Sequence, residues 1–178
     1  VLFRSKNIEK LGINEDVINA YETSKTVLTG LGHKLIEVDF SELSSGICSY
    51  YVIAPAECSS NLSRFDGVKY GYRSEGEKDI ANLYMNTRSD GFGDEVKKRI
   101  LIGTHVLSAG FYDAYYLQAQ KVRRMIKVKF EDFFKDVDLI FMPTTLDQAF
   151  EKNRKSDDPN RMYKEDLLTI PANLEIGR

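Results

Sequence analysis

The polar and apolar positions near the start of the chain change period once. The run Asn14-Glu15-Asp16-Val17-Ile18-Asn19-Ala20-Tyr21 opens as a helix. Ile13 precedes an Asn14 cap, and two acids occupy the first turn, where unpaired amides favour negative charge. Gly30 or Gly32 should end it. Lys34-Leu35-Ile36-Glu37-Val38-Asp39-Phe40 then alternates from Ile36 onward between glycine and serine, the pattern of a half-buried strand. Helix followed by strand predicts an α/β layer. The stretch Ile47 to Leu62, rich in Ala, Tyr, Val and Ile, reads as a helix that Pro55 kinks or restarts. Phe65 to Glu77 gathers turn formers and glycines and reads as a loop.

Helical spacing returns from Asp94 to Val137. Val96, Ile100, Val106 and Leu107 fall along one face, and Tyr112, Tyr115, Tyr116 and Ala119 along another, with Ser108-Ala109-Gly110 as the break between two helices. Asp138-Leu139-Ile140-Phe141-Met142-Pro143 predicts a buried strand stopped by proline, at the kind of sheet end where open α/β folds hold ligands. Residues 149–160 are polar and predict a surface loop. No internal repeat or low-complexity segment divides the chain, so residues 1–178 are read as one domain.

Composition narrows the function classes more than the fold. With 42% hydrophobic and 29% charged residues, enough apolar side chain is present to build a core. The net charge of −2 supplies no global positive field to draw in nucleic acid or an anionic membrane. Lys121, Arg123, Arg124, Lys127 and Lys129 form a local basic cluster, whose readings are a solvated helix face or an RNA contact. Cys48 and Cys58 lie ten apart, far from metal-ligand spacing, and read as reduced structural thiols. No run approaches the roughly 18 apolar residues of a membrane-crossing helix, and Val1-Leu2-Phe3-Arg4-Ser5 does not fit a signal peptide, so the expected location is the cytoplasm or an organelle interior.

Templates for chemistry come up mostly empty. The chain has no Gly-rich phosphate loop, no G-x-S-x-G elbow and no H-E-x-x-H pair. Its two histidines, His33 in a predicted turn and His105 in a predicted helix, give a Ser-His-Asp arrangement almost nothing to draw on.

Longer strings are more specific. Ala56-Glu57-Cys58-Ser59-Ser60-Asn61-Leu62-Ser63-Arg64-Phe65-Asp66-Gly67-Val68-Lys69-Tyr70-Gly71-Tyr72-Arg73 is followed by Thr87-Arg88-Ser89-Asp90-Gly91-Phe92-Gly93-Asp94-Glu95-Val96-Lys97-Lys98-Arg99-Ile100. Next come Gly103-Thr104-His105-Val106-Leu107-Ser108-Ala109-Gly110-Phe111-Tyr112-Asp113-Ala114-Tyr115-Tyr116 and Ala119-Gln120-Lys121-Val122-Arg123. Met142-Pro143-Thr144-Thr145 and Leu168-Thr169-Ile170-Pro171-Ala172-Asn173-Leu174 complete the series. In letters and in order these strings resemble the glutamine-hydrolysing A subunits of glutamyl-tRNA(Gln)/aspartyl-tRNA(Asn) amidotransferases, a branch of the amidase-signature family. The resemblance is close from about Tyr50 to Asp147, recognisable before it, and recovered from Met162 to Leu174.

The resemblance implies part of an α/β amidase-signature fold, a mixed sheet layered between helices, incomplete at both ends. It implies a glutaminase that works through a serine nucleophile, a bridging serine and a lysine. Those residues belong to a Gly/Ser-rich segment that nothing in Val1 to Gly46 matches, so no catalytic residue is expected within this chain. The adjacent Ser59 and Ser60 are read as helix and packing. By motif position, Arg99 is expected to hold the α-carboxylate of glutamine, Asp166 its ammonium, and Tyr50 to close over the side, with Tyr51 as the competitor for that last role. The alternatives are a helix-surface arginine, a helix-cap carboxylate and a core tyrosine. No metal or cofactor is expected to be bound by this chain. ATP and Mg are expected to be used by a partner B subunit, a C subunit is expected to complete a heterotrimer, and misacylated tRNA is expected to be met through that complex. The alternative functions are a stand-alone amidase-signature amide hydrolase and a non-catalytic chain with a binding role alone.

Overall fold

The computed structural model describes residues 2–6, 11–39, 45–76, 78–152, 163 and 165–176. The chain separates into two compact units, residues 1–47 with 122–178, and residues 48–121.

The first unit is built on a parallel sheet. β1 (Leu2–Lys6), β2 (Leu35–Asp39) and β3 (Leu139–Phe141) are ordered β2-β1-β3, and Leu2 pairs with Leu35 on one side and Leu139 on the other. Parallel neighbours need a long crossover. Helix α1 (Glu15–Gly30) supplies it between β1 and β2. The helix starts as the sequence predicts: the Asn14 side chain accepts from the Asp16 amide, Glu15 and Asp16 fill the first turn, and the chain turns out of the helix through Leu31 and Gly32, whose φ is 87°. One prediction is corrected. Among the described strands, all of them parallel, the strand after Asp138 lies at the edge and Leu139 is 61% exposed, where a buried strand was expected. β1 was not predicted at all.

The core of this unit gathers Ile13, Tyr21, Leu146 and Leu168, with Leu11, Val17, Ile18, Phe141, Met142 and Leu167 packed around them. The Tyr21 ring stacks on Phe141 at 4.9 Å, and its hydroxyl donates to the Phe141 carbonyl at 3.0 Å, so the buried oxygen keeps a partner. Lys25 is buried alongside, ion-paired with Glu22 and 5.3 Å from the Tyr21 ring. Polar bonds tie the start of α1 to the segment after β3: the Asn14 amide donates to the Leu146 carbonyl at 2.8 Å, Asn14 Nδ2 to Asp147 at 2.9 Å, and Gln148 Nε2 to Asp16 at 2.6 Å. Of the predicted 149–160 loop, residues 149–152 have no regular structure and are exposed, and 153–160 lie outside the described residues.

The second unit is helical. Helix α2 (Gly46–Leu62), which enters it at Cys48, runs as one element through Pro55 instead of restarting there; the Pro55 side chain is fully buried. Residues 65–76 form the predicted loop. α3 (Ile80–Gly91), which the hydrophobic pattern did not predict, is capped by Asp79 through the Asn82 amide. α4 (Asp94–Val106) follows, then the predicted break, then a π-helical turn (Tyr112–Tyr116) that leads into α5 (Leu117–Phe133), which passes into the first unit at Val122. The final helix, α6 (Ile170–Ile176), belongs to the first unit, where Ile170 and Leu174 close over Gly46 together with Ile126.

Candidate functional site

Within the second unit α2 and α4 touch backbone to side chain. Gly103 makes this possible: a Cβ there would stand 1.9 Å from the Pro55 carbonyl oxygen and 2.8 Å from Ser59 Cβ. One residue further on, the Ser59 and Thr104 hydroxyls share a hydrogen bond of 2.9 Å. This is what Ser59 does here, in keeping with its reading as helix and packing.

The same pair of helices brings Tyr50 and Arg99 together. Arg99 lies on α4, four residues after Glu95, and its Nε donates to Glu95 Oε1 at 3.1 Å. Tyr50, on α2, lies close enough to influence the guanidinium electrostatically. The Glu95 carboxylate first, and Tyr50 to a smaller degree, hold the Arg99 proton more tightly than usual, while partial burial works against them. The Arg99 side chain is 35% exposed, so it is neither sealed in nor a freely solvated helix arginine. Tyr50 is half-buried and meets Tyr51 edge-on at 5.2 Å. Glu95 was not among the predicted site residues, although its spacing of four from Arg99 was available as a signal.

Asp166 belongs to the first unit and is exposed. Its main-chain carbonyl accepts from the amides of Thr169 at 3.1 Å and Ile170 at 3.0 Å, so it sits at the turn that leads into α6. Nearby, Glu165 accepts from the Leu146 amide at 3.1 Å.

The remaining candidates resolve into structure. His33 is exposed after α1, and His105 packs on Phe111 with ring centroids 4.2 Å apart. Cys48 and Cys58 are free thiols. In the basic cluster, Arg123 donates to the Leu174 carbonyl at 3.0 Å and Lys129 lies over the Phe133 ring, while Lys121 and Arg124 face solvent. Among the described residues no group of three or more His, Cys, Asp or Glu is placed to hold a metal ion. No helix among them is long and apolar enough to cross a membrane.

Comparison with known proteins places this fold. Residues 4–175 match the amidase family, and the chain belongs to it. It is 54% identical over 162 residues to the A subunit of the glutamyl-tRNA(Gln) amidotransferase of Hahella chejuensis, covering 91% of this chain and 34% of that relative. It is 53% identical over 163 residues to the corresponding protein of Thiobacillus denitrificans, over 92% of this chain and 34% of the relative. The crystal structure of the A subunit from Thermotoga maritima superposes with a TM-score of 0.67 at 35% identity, over 98% of this chain and 33% of that one. The chain thus spans about a third of the length of the curated relatives it matches. The family match and the relatives' names give no support for ATP binding by this chain.

Proposed function

We propose that this chain is part of the glutaminase subunit of a tRNA-dependent amidotransferase. In that reading the whole subunit hydrolyses glutamine, and the ammonia serves the ATP-dependent conversion of Glu-tRNA(Gln) to Gln-tRNA(Gln), or of Asp-tRNA(Asn) to Asn-tRNA(Asn). ATP and Mg are used by the partner B subunit, a C subunit completes the heterotrimer, misacylated tRNA is met through the complex, and the assembly works in the cytoplasm or an organelle interior. The chain forms part of one amidase domain. For its own residues the reading assigns Arg99 to the carboxylate of glutamine, Asp166 to its ammonium and Tyr50 to its side.

The observation that carries this reading is the Arg99 guanidinium held by Glu95 on a helix that touches the one bearing Tyr50, in a chain 54% identical to a named amidotransferase component. Chemically, Glu95 engages Nε and fixes the plane of the guanidinium, which leaves terminal N–H groups for a second carboxylate. An α-amino acid offers such a carboxylate together with an ammonium, which Asp166 complements. A generic amide offers neither, and that favours glutamine over the stand-alone amide hydrolase. The serine nucleophile, bridging serine and lysine are assigned outside this chain, so alone it is inactive.

Two measurements test this. Ammonia release from glutamine is compared between this chain and a version carrying the preceding Gly/Ser-rich region; activity of the present chain alone sinks the assignment of the nucleophile. In the longer protein, Arg99→Ala and Asp166→Ala each weaken glutamine binding roughly thirtyfold or more, as expected when one partner of a charged hydrogen-bonded pair is removed. Unchanged binding removes the site.

A further inference from the structure

Helix α2 carries Glu57, Ser60 and Asn61 at spacings of three and four, which places them on one helix face. Opposite them is the π-helical turn. Its closing bond runs from the Leu117 amide to the Tyr112 carbonyl, and the wide turn stacks the Tyr112 and Tyr116 rings at 5.1 Å and 28°. π-Helical turns are rare and recur at functional sites. Together with Ala56 and Leu107, these five side chains line an open, solvent-facing groove of about 370 Å³ that lies wholly within the second unit, with Glu57, Ser60, Asn61 and Tyr112 exposed. Among the described residues, no hydrogen bond or ion pair occupies the side chains of Glu57, Ser60 or Asn61.

We propose that this groove binds a small organic cation of the primary ammonium class. Glu57 supplies the compensating charge, and the Ser60 hydroxyl and Asn61 amide oxygen accept N–H bonds. The stacked tyrosine pair offers π-electron density, which attracts a cation within about 6 Å of a ring. A neutral molecule would gain the hydrogen bonds without the charge terms, and an anion would meet both Glu57 and the negative ring faces. The groove is open to solvent and has room for no more than a short alkylamine laid along it. The inference does not depend on the glutaminase reading, since it uses none of Arg99, Tyr50 or Asp166.

The test titrates n-butylammonium into the full chain and follows backbone amide shifts of residues 57–61 and 112–116, with n-butanol and butanoate as matched neutral and anionic probes. The expected result is saturable shifts in both segments with butylammonium alone. Glu57→Gln weakens binding about tenfold, and Glu57→Lys, which places a cation in the site, abolishes it. Glu57 is exposed on its helix, so these variants leave the core untouched. Butylammonium that binds no better than butanol, or binding that survives Glu57→Gln unchanged, overturns the proposal.

Discussion

The two units of this chain differ in where their close approaches lie. In the first, an apolar cluster closes around Tyr21 beside a three-stranded sheet, and Arg123 holds the Leu174 carbonyl at 3.0 Å. In the second, buried apolar residues are joined by main chain pressed against main chain and side chain at close range. Arg88 donates to the Leu62 carbonyl at 2.9 Å and the Phe65 carbonyl at 3.0 Å, and Arg73 donates to the Gly67 carbonyl at 2.9 Å. Gly67, at a φ of 77°, presses so near Thr87 that a Cβ would stand 2.7 Å from its methyl group. Buried Thr87 in turn accepts from the Ser74 amide at 3.0 Å. An apolar cluster tolerates exchange of one hydrophobic residue for another of similar volume, whereas a carbonyl clasped by an arginine or a glycine under a carbonyl does not. The longest family-like strings, Ala56 to Arg73 and Thr87 to Tyr116, coincide with the second kind of construction. They specify a backbone, and Arg99 rides on it.

Gly103→Ala breaks the contrast most severely. The new methyl group would occupy the space of the Pro55 carbonyl oxygen, which is main chain and cannot rotate away, so α2 and α4 must part. Overpacking of this kind costs at least ~3 kcal/mol, the upper end of its usual range. Urea denaturation should show a large fall in midpoint, and hydrogen exchange should show the lost protection concentrated in residues 48–121. An unchanged midpoint would mean that the close approach of these helices is not what holds the unit.

This close approach also marks the limit of what the sequence made legible. The cap at Asn14, the end of α1 near Gly30, the β2 alternation, the loop after Phe65 and the break after Ser108 are local signals, and each appears where its chemistry puts it. α3 was missed because most of its residues are exposed, so no apolar stripe marks it; Leu83 and Thr87 alone are buried. The edge position of β3 depends on which strand lies in the centre, a long-range fact that a run of apolar letters does not carry. At the candidate site, motif position led to Arg99 and Tyr50, which lie on α4 and α2 of the second unit, and to Asp166, which lies in the first. Glu95 and the tyrosine-lined groove were missed, because the first looked like ordinary helix charge and the second depends on a π-helical turn that the spacing of apolar residues does not announce.

Tyr21→Phe examines the other side of the contrast and should have a smaller effect. The ring and its packing on Phe141 are kept, while the hydroxyl that satisfies the Phe141 carbonyl is lost. A single hydrogen bond of this sort contributes about 1 kcal/mol. The expected outcome is a modest fall in urea midpoint, with exchange of α1 amides accelerated and the amides of α4 unaffected. A loss as large as that of Gly103→Ala would show that the first unit leans on its polar bonds as heavily as the second leans on its close approaches, and the distinction between the units would collapse.

The smallest effect is expected at Asp66 in the clasped loop, whose pKa the fold lowers. Its carboxylate accepts from the Val68 amide at 2.8 Å and the Lys69 amide at 3.2 Å. These two main-chain bonds, the first the stronger influence, hold its pKa below the usual carboxylate range. A depressed folded pKa means that the stabilising contribution is present above the ordinary aspartate value and is lost as pH falls through the lowered one. The turn should therefore loosen in acid and not in base, read as faster exchange or downfield-to-upfield movement of the Val68 and Lys69 amide protons. Asp66→Asn keeps an acceptor oxygen but removes the titration, so the acid transition at these two amides should vanish while the turn persists. If the transition survives in Asp66→Asn, another group controls the loop, and the link drawn between the family-like string and its backbone would fail at this residue.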